Sequence, residues 1–85
     1  GIPLRMNAKK PKKKEAFVLM KKRKVSLDNY YYLSKKNNLR QSAKNLYSLL
    51  RKIKNDGYKM VAVEKISNKG IGRTINDRLN KASKY

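Results

Sequence analysis

The residues best suited to chemistry lie near the end of the chain, in a glycine turn that leads into a helix sequence. Gly70 and Gly72 enclose one isoleucine, and such a turn can bring backbone amides to a phosphate where a helix begins. The signal is weak, because the third glycine of the dinucleotide-binding pattern is missing and Thr74 and Ile75 occupy its region. The competing interpretation, which we favour, is that the glycines let the chain turn sharply and bring the helix close to a sheet.

The helix sequence after this turn carries three polar residues in a row, Asn76, Asp77 and Arg78. Asp77 is one helical turn from both Arg73 and Lys81, so it can pair with either of them. Arg78 borders an apolar stripe, so its stem can lie across the core while its guanidinium reaches a carboxylate or a carbonyl. A sharper alternative is that Arg73 and Arg78 contact RNA.

Few side chains of this chain could carry out acid–base or metal chemistry. There is no His and no Cys, which removes the commonest general base, the commonest transition-metal ligand and every disulfide. The five carboxylates are scattered, and no pair has a spacing that indicates acid–base work or a hard-cation site. We therefore expect no catalytic residue, metal or cofactor in this chain. The carboxylates are Glu15, Asp28, Asp56, Glu64 and Asp77.

The chain is strongly basic, and two explanations of its charge stay open. The net charge is +19, which suggests a nucleic-acid partner. However, 18 of the 24 basic residues are lysine, and Lys, Asn and Tyr all use A/T-rich codons, so genomic drift would raise them together. Proteins that read phosphates and bases tend to favour arginine. In either case such a surface binds polyanions at low salt.

Two segments could contact RNA directly. Residues 8–14 (AKKPKKK) form a basic loop, either a solvated tether or an arm that faces RNA. The tyrosines at 30–32 could stack bases, with Lys35 and Lys36 nearby for phosphate, although aromatic residues also simply favour strands. The candidate RNA contacts are Lys12, Lys13 and Lys14 in the loop and Arg73 and Arg78 in the final helix.

Four short segments predict strands that would position these residues. Residues 4–7 alternate apolar and polar side chains, as in an edge strand. Residues 15–20 form a compact apolar run typical of a central strand. In residues 30–33 the tyrosines alternate faces, so one or two should pack and another should show its ring to solvent. Residues 60–63 are apolar on both faces, which predicts a strand covered by helices.

Two amphipathic helices complete the predicted domain. Asn38 is a good N-cap, Gln41 completes a capping box, and Gly57 ends the first helix. The second helix covers about residues 71–83. A strand–helix–strand unit with a right-handed crossover follows, within an α/β domain whose largely parallel sheet has three or four strands. The inward residues are Leu39, Ala43, Leu46, Leu49, Leu50 and Ile53 in the first helix and Ile71, Ile75, Leu79 and Ala82 in the second.

The length of 85 residues suits a single domain, so residues 1–85 are predicted to fold as one unit. No apolar run approaches the roughly 18 residues that cross a bilayer, and no secretory signal opens the chain. We therefore expect no membrane partner and a cytoplasmic location. The first residue is Gly rather than Met, so we expect the natural start to lie upstream.

Four segments together resemble the carboxy-terminal domain of the longer bacterial threonylcarbamoyl-AMP synthases, in the Sua/YciO/YrdC group. They are Leu33-Ser34, residues 43–51 (AKNLYSLLR), residues 60–64 (MVAVE) and residues 70–79 (GIGRTINDRL). The family pattern has a Leu-Ser turn, a helix with Ala-x-Asn-Leu-[Phe/Tyr]-x-x-Leu-Arg, an apolar strand and Gly-Leu-Gly-x-Ala-Ile-Asn-Asp-Arg-Leu. The last motif is long and specific, and one departure from it is Thr74, where the family usually has Ala.

The resemblance implies a small Rossmann-like fold and a parent enzyme with a YrdC-type catalytic domain that lies upstream of this chain and is absent from it. That domain binds ATP, threonine and bicarbonate and makes threonylcarbamoyl-AMP for the t6A modification of tRNA. A linker with a His-Tyr-Ala-Pro-like motif covers its site. ATP is thus expected only in the catalytic domain. The shared motif implies structural or docking roles for Gly70, Gly72, Asn76, Asp77 and Arg78.

Our leading hypothesis is a non-catalytic accessory domain whose partner is its own amino-terminal catalytic domain, which it assists by docking or by positioning the linker. The first alternative is a small basic RNA-binding module, suggested by the charge and by tRNA as the end of the implied pathway. The second is a regulatory nucleotide-binding domain, suggested by the predicted strand–helix–strand unit and the turn at Gly70 and Gly72.

Overall fold

The chain folds as an α/β domain with a four-stranded parallel sheet. A computed structural model describes residues 3–20, 23–34 and 39–82. The strand order is β1-β4-β2-β3, and every neighbouring pair is parallel, which confirms the predicted small Rossmann-like sheet. The elements are β1 Leu4–Ala8, β2 Ala16–Leu19, β3 Tyr30–Tyr32, α1 Leu39–Asn55, β4 Val61–Glu64 and α2 Ile71–Ala82.

The positions of the strands in the sheet follow their hydrophobic patterns. β1, with alternating side chains, lies at an edge, whereas β2 and β4, which are apolar on both faces, lie inside. All four predicted strands form, but each differs from its predicted range by one residue at one or both ends. In the last of them, Met60 precedes β4 and is 45% exposed, and the strand continues instead to Glu64. The carbonyl of Met60 accepts a hydrogen bond from the Ala16 amide (3.1 Å), so the Met60 backbone joins β2 while its side chain remains in solvent.

Both helices pack on one face of the sheet, which we call the helix face. Most of the predicted stripe residues pack there, with Leu46 and Ile53 of α1 and Ile75 and Leu79 of α2 fully inaccessible. Ala43, Leu49, Ile71 and Ala82 are partly buried, and the side chain of Leu39 lies outside the described residues. α1 ends at Asn55, and Gly57 follows with a φ of +98°, the left-handed residue that commonly ends a helix. The predicted N-cap Asn38 and the end of the second helix at Ser83 lie outside the described residues.

The opposite face, which we call the open face, differs from the prediction. It carries Phe17, Leu19 and Ala62, all fully buried, but none of the described helices packs on it. The centre of the Tyr30 ring and the central carbon of the Arg23 guanidinium each lie 5.5 Å from the centre of the Phe17 ring, and the two rings meet edge-on. The reason is length, because a helix between parallel strands needs about a dozen residues and the β1–β2 and β2–β3 connections are shorter.

The crossover through α1 passes over one strand. β3 leads into α1 and α1 leads into β4, but β2 lies between β3 and β4 in the sheet. The predicted strand–helix–strand unit therefore forms without direct pairing of its two strands, and its right-handed sense stays a prediction. Of the tyrosines in β3, Tyr31 is buried on the helix face, whereas Tyr30 and Tyr32 are half-buried on the open face, as their alternation predicted.

Candidate functional site

The glycine turn before α2 is built for close packing. Gly70 has a φ of +58°, and a β-carbon added there would meet no other atom, so the backbone conformation is the reason for glycine at this position. A β-carbon at Gly72 would overlap the carbonyl oxygen of Ser67. The Gly72 amide donates to the Lys69 carbonyl (3.1 Å) and the Arg73 amide to the Gly70 carbonyl (3.2 Å). These amides are therefore engaged within the turn, which favours the steric interpretation over a phosphate site.

The polar residues of α2 attach the helix to its surroundings. The Asn76 amide donates to the Ile66 carbonyl (2.9 Å), and the Arg78 guanidinium donates to the Ala43 carbonyl of α1 (3.4 Å). The second contact confirms the prediction that Arg78 reaches a carbonyl. Asp77 pairs with Lys81 (3.2 Å), also as predicted, but both side chains are mainly exposed, so the pair adds little stability.

A crevice of about 410 Å³ opens between the carboxyl-terminal half of β1, the β4–α2 connection and α2. Asn76 contributes to its wall, and its amide orientation is fixed because the Ile66 carbonyl can only accept a hydrogen bond. Sequence analysis did not predict this crevice, because its walls come from three separate segments. The lining residues are Met6, Asn7, Lys65, Ile66, Asn68, Asn76 and Asn80.

A β-bulge in β1 places one of these residues. The register pairs Arg5 with Ala62 and Ala8 with Glu64, so two residues of β1 lie opposite the single residue Val63 of β4. Asn7 is in the left-handed region, with a φ of +56°, and it is exposed. Because of this extra residue, the Ala8 side chain lies on the open face, and Asn7 no longer follows the alternation of faces that the sequence pattern predicted.

An ion pair between a partly exposed arginine and a buried glutamate lies on the open face at the beginning of β2. The Arg5 guanidinium donates to both oxygens of the Glu15 carboxylate (2.8 and 3.2 Å), and the Lys12 amide donates to the Oε1 of Glu15 (2.6 Å). Glu15 is only 4% exposed. The hydrogen bonds from Arg5 hold the pKa of the Glu15 carboxyl below its usual value, against the opposing effect of burial. In the sequence, the only hint of this pair was the position of Glu15, an acidic residue between a run of lysines and an apolar strand.

A second ion pair lies across the same face. The Arg23 guanidinium donates to the Oε2 of Glu64 (2.8 Å) while the Oε1 of Glu64 accepts from the Met20 amide (2.8 Å). Because Arg23 also lies against the Phe17 ring, one arginine covers an aromatic side chain and neutralises a carboxylate at the end of β4.

On the helix face, a tyrosine joins β3 to the end of α1. The Tyr31 hydroxyl donates to the Oδ2 of Asp56 (2.6 Å), and the Tyr31 ring meets that of Tyr58 edge-on at 6.0 Å. Burial, and then the hydrogen bond to Asp56, raise the pKa of the Tyr31 hydroxyl.

The structure does not bring the predicted RNA contacts together. Lys12, Lys13 and Lys14 are exposed in the loop before β2, at the end of the sheet where the parallel strands begin. Arg73 is exposed in the first turn of α2, which follows β4, so it lies at the opposite end of the sheet, where the strands finish. Arg78 donates a hydrogen bond to α1. The predicted contacts therefore lie in separate parts of the surface.

The predicted stacking platform is only partly accessible. Tyr30 and Tyr32 are half-buried on the open face, and the Tyr32 hydroxyl donates to the Ser26 hydroxyl (2.7 Å). Lys35 and Lys36, the predicted phosphate contacts beside the platform, lie outside the described residues.

Within residues 3–20, 23–34 and 39–82, no three His, Cys, Asp or Glu side chains come close enough to hold a metal ion. None of the helices in this described part of the chain is long and apolar enough to cross a membrane.

Comparison with known proteins adds one positive finding. Residues 4–84 match the family described as threonylcarbamoyl-AMP synthase, C-terminal domain. No curated protein and no solved structure matches the chain significantly. The match covers the sheet, both helices and the glycine turn.

Proposed function

Because the chain belongs to the family of threonylcarbamoyl-AMP synthase C-terminal domains, we propose that it is a non-catalytic domain that docks on a YrdC-type catalytic domain. Its role is to hold that domain, or the linker over its active site, in the arrangement that makes threonylcarbamoyl-AMP for tRNA t6A modification. The family match over residues 4–84 is the observation that carries this proposal.

The use of the acidic side chains supports a non-catalytic role. Glu15 binds Arg5, Glu64 binds Arg23, Asp56 accepts from Tyr31, and Asp77 pairs with Lys81. Four of the five carboxylates thus join elements of the fold or bind within a helix. A catalytic acid or base would need to face a substrate instead.

The open face is the surface that we propose for docking. Parallel sheets are normally covered by helices on both faces, and here the helices of the described chain cover only one. The connection that borders the open face also exposes two large apolar side chains, Val25 (71% exposed) and Leu27 (55%). The sheet residues of this face are already shielded from solvent, so we propose that the catalytic domain packs on the connection and buries Val25 and Leu27.

The charge around the open face indicates what its partner should look like. The two connections that border it carry exposed lysines, among them Lys9, Lys10 and Lys24. An acidic surface on the catalytic domain would complement them and would make association faster at low salt. We therefore expect docking to weaken as salt rises without disappearing, because apolar burial by Val25 and Leu27 is not screened by salt.

Calorimetric titration of the chain with a purified YrdC-type domain of a two-domain synthase tests docking. We expect saturable 1:1 binding that the double substitution Val25→Ser with Leu27→Ser weakens at least tenfold. The control is Tyr47→Ser, which removes an apolar side chain of similar exposure (50%) from the outer side of α1. Absence of binding, or equal weakening by the control, would refute docking through the open face.

A separate assay tests the non-catalytic role. Pyrophosphate release from ATP, threonine and bicarbonate is measured with the chain alone and with the YrdC-type domain in the presence and absence of the chain. We expect none from the chain alone and a changed rate from the pair. Release by the chain alone would overturn the proposal.

A small RNA-binding module is the second candidate, and the net charge of +19 is the observation that favours it. The Lys12–Lys14 loop is separated from Arg73, so these predicted contacts do not line one continuous groove. This arrangement favours nonspecific electrostatic contact over recognition of one RNA.

A further inference from the structure

The crevice beside β1 has the position and the lining of a small-molecule site. In open parallel sheets, ligands bind near the carboxyl ends of strands where the outgoing connections of two neighbouring strands pass to opposite faces. β1 and β4 are such neighbours. The connection after β4 leads to α2 on the helix face, whereas the connection after β1 follows the open face, where Arg5 donates to the Lys10 carbonyl (3.0 Å).

The bulge at Asn7 is a second observation that points to this site. Bulges at sheet edges often redirect one side chain next to a functional site. Here the redirected residue is an asparagine that lines the crevice, and Asn is one of the few residues with a β-carbon that readily adopts the left-handed backbone of this bulge. The bulge thus places a polar side chain in the crevice, away from the core, as a binding site would require.

The lining defines the chemistry of the ligand. The side-chain amides of Asn7 in β1 and Asn68 in the β4–α2 connection line the crevice, and Asn76 of α2, whose amide nitrogen donates to Ile66, has its oxygen to offer; such groups match the edge of a purine base. Met6 and Ile66 give an apolar surface for the base, and Lys65 gives one positive charge for a phosphate. None of the lining side chains is a carboxylate, so an anion meets no repulsion there.

We propose that this crevice binds a purine mononucleotide, with the base against the asparagine amides and the phosphate on Lys65. The volume of about 410 Å³ lies within the usual range for small-molecule pockets and suits one nucleotide better than a dinucleotide. The site differs from the glycine turn, whose Gly72 and Arg73 amides are already bonded. It is independent of docking, because the docking surface is the open face.

Titration of the whole chain with adenosine monophosphate, followed by amide chemical shifts and calorimetry at about 0.15 M salt, tests this site. Adenosine, cytidine monophosphate and inorganic phosphate are the comparison ligands. We expect 1:1 saturation by adenosine monophosphate, tighter than by cytidine monophosphate or phosphate, with shifts centred on residues 65–68 and on Asn76.

Three variants decide the result. Asn7→Gly keeps the left-handed backbone but removes the amide, and should weaken adenosine monophosphate binding about tenfold. Lys65→Gln should weaken the nucleotide and leave adenosine unchanged. Lys69→Gln, an exposed lysine outside the crevice, should change neither.

Contrary results would refute the site. They are the absence of saturation, phosphate binding as tight as that of the nucleotide, no loss with Asn7→Gly, or equal losses with Lys65→Gln and Lys69→Gln. The last result would assign the binding to general surface charge. Failure of docking would leave these titrations interpretable, because they contain only the chain and its ligand.

Discussion

Gly72 lies against the backbone carbonyl of Ser67 so closely that a β-carbon at position 72 would overlap the oxygen. A β-carbon added to Gly70, two residues earlier, would contact nothing, but the Gly70 backbone is in the left-handed region with a φ of +58°. The two glycines of one motif therefore serve different needs, close approach at 72 and backbone conformation at 70. Together they position α2 against the β4–α2 connection.

Substitution of these glycines should separate the two roles. Gly72→Ala forces the helix away from Ser67 and should destabilise the fold by about 1–3 kcal/mol, as overpacking does. Gly70→Ala should cost about 1–2 kcal/mol through its backbone conformation. Denaturant unfolding measures both. Gly70→Asn should recover much of the loss because Asn tolerates this conformation, whereas Gly72→Asn should recover none; equal behaviour at both positions would contradict this assignment.

Acid should weaken the fold through Glu15. Because Arg5 lowers the pKa of the folded-state carboxyl, the stabilisation is complete above the unfolded value of about 4.3 and is lost as pH falls through the lower folded value. Glu15→Gln should destabilise the chain by about 1–3 kcal/mol at neutral pH and should reduce the further loss of stability as pH falls.

Urea unfolding between neutral pH and about pH 3 measures this effect. The matched control is Asp77→Asn, whose ion pair with Lys81 is exposed and should change stability by less than about 0.5 kcal/mol. If the stability of Glu15→Gln falls with pH as steeply as that of the unsubstituted chain, Glu15 is not the cause of the acid sensitivity.

Alkali should weaken the fold through Tyr31. Burial raises the pKa of its hydroxyl, so the stabilisation linked to this shift is complete below the unfolded value of about 10 and is lost as pH rises from there toward the higher folded value. Tyr31→Phe should remove this dependence and cost about 1 kcal/mol at neutral pH, through the lost hydrogen bond to Asp56. Unfolding at several pH values above 9 compares it with Tyr47→Phe, which should keep the alkaline loss.

RNA binding should be electrostatic and nonspecific. We expect tRNA and a scrambled RNA to bind about equally, with affinity that falls steeply with salt, because counterion release carries no sequence information. Titrations at two salt concentrations measure this for Arg73→Ala and for Arg51→Ala, an exposed arginine of α1 as the control. A tRNA preference that persists at physiological salt and is lost only with Arg73→Ala or Arg78→Ala would favour the RNA-binding module instead.

Local patterns predicted part of the site correctly. The contact between Arg78 and a carbonyl and the pairing of Asp77 with Lys81 followed from helical spacing, because residues three or four apart share a face. The steric interpretation of the glycine turn is supported by Ser67. The crevice at Asn7 was missed, because its alternating pattern indicates an unbroken strand and a bulge depends on the partner strand.

The sequence by itself determined which segments form strands and helices, and that β2 and β4 lie inside the sheet, because apolar periodicity is a local property that burial must satisfy. The tertiary structure alone decided that β2 separates β3 from β4 and that, among residues 3–20, 23–34 and 39–82, no helix packs on one sheet face. It also decided that Arg23 binds Glu64, 41 residues away. Such pairings depend on the path of the chain between elements, and periodicity specifies which faces are apolar but not which segments meet.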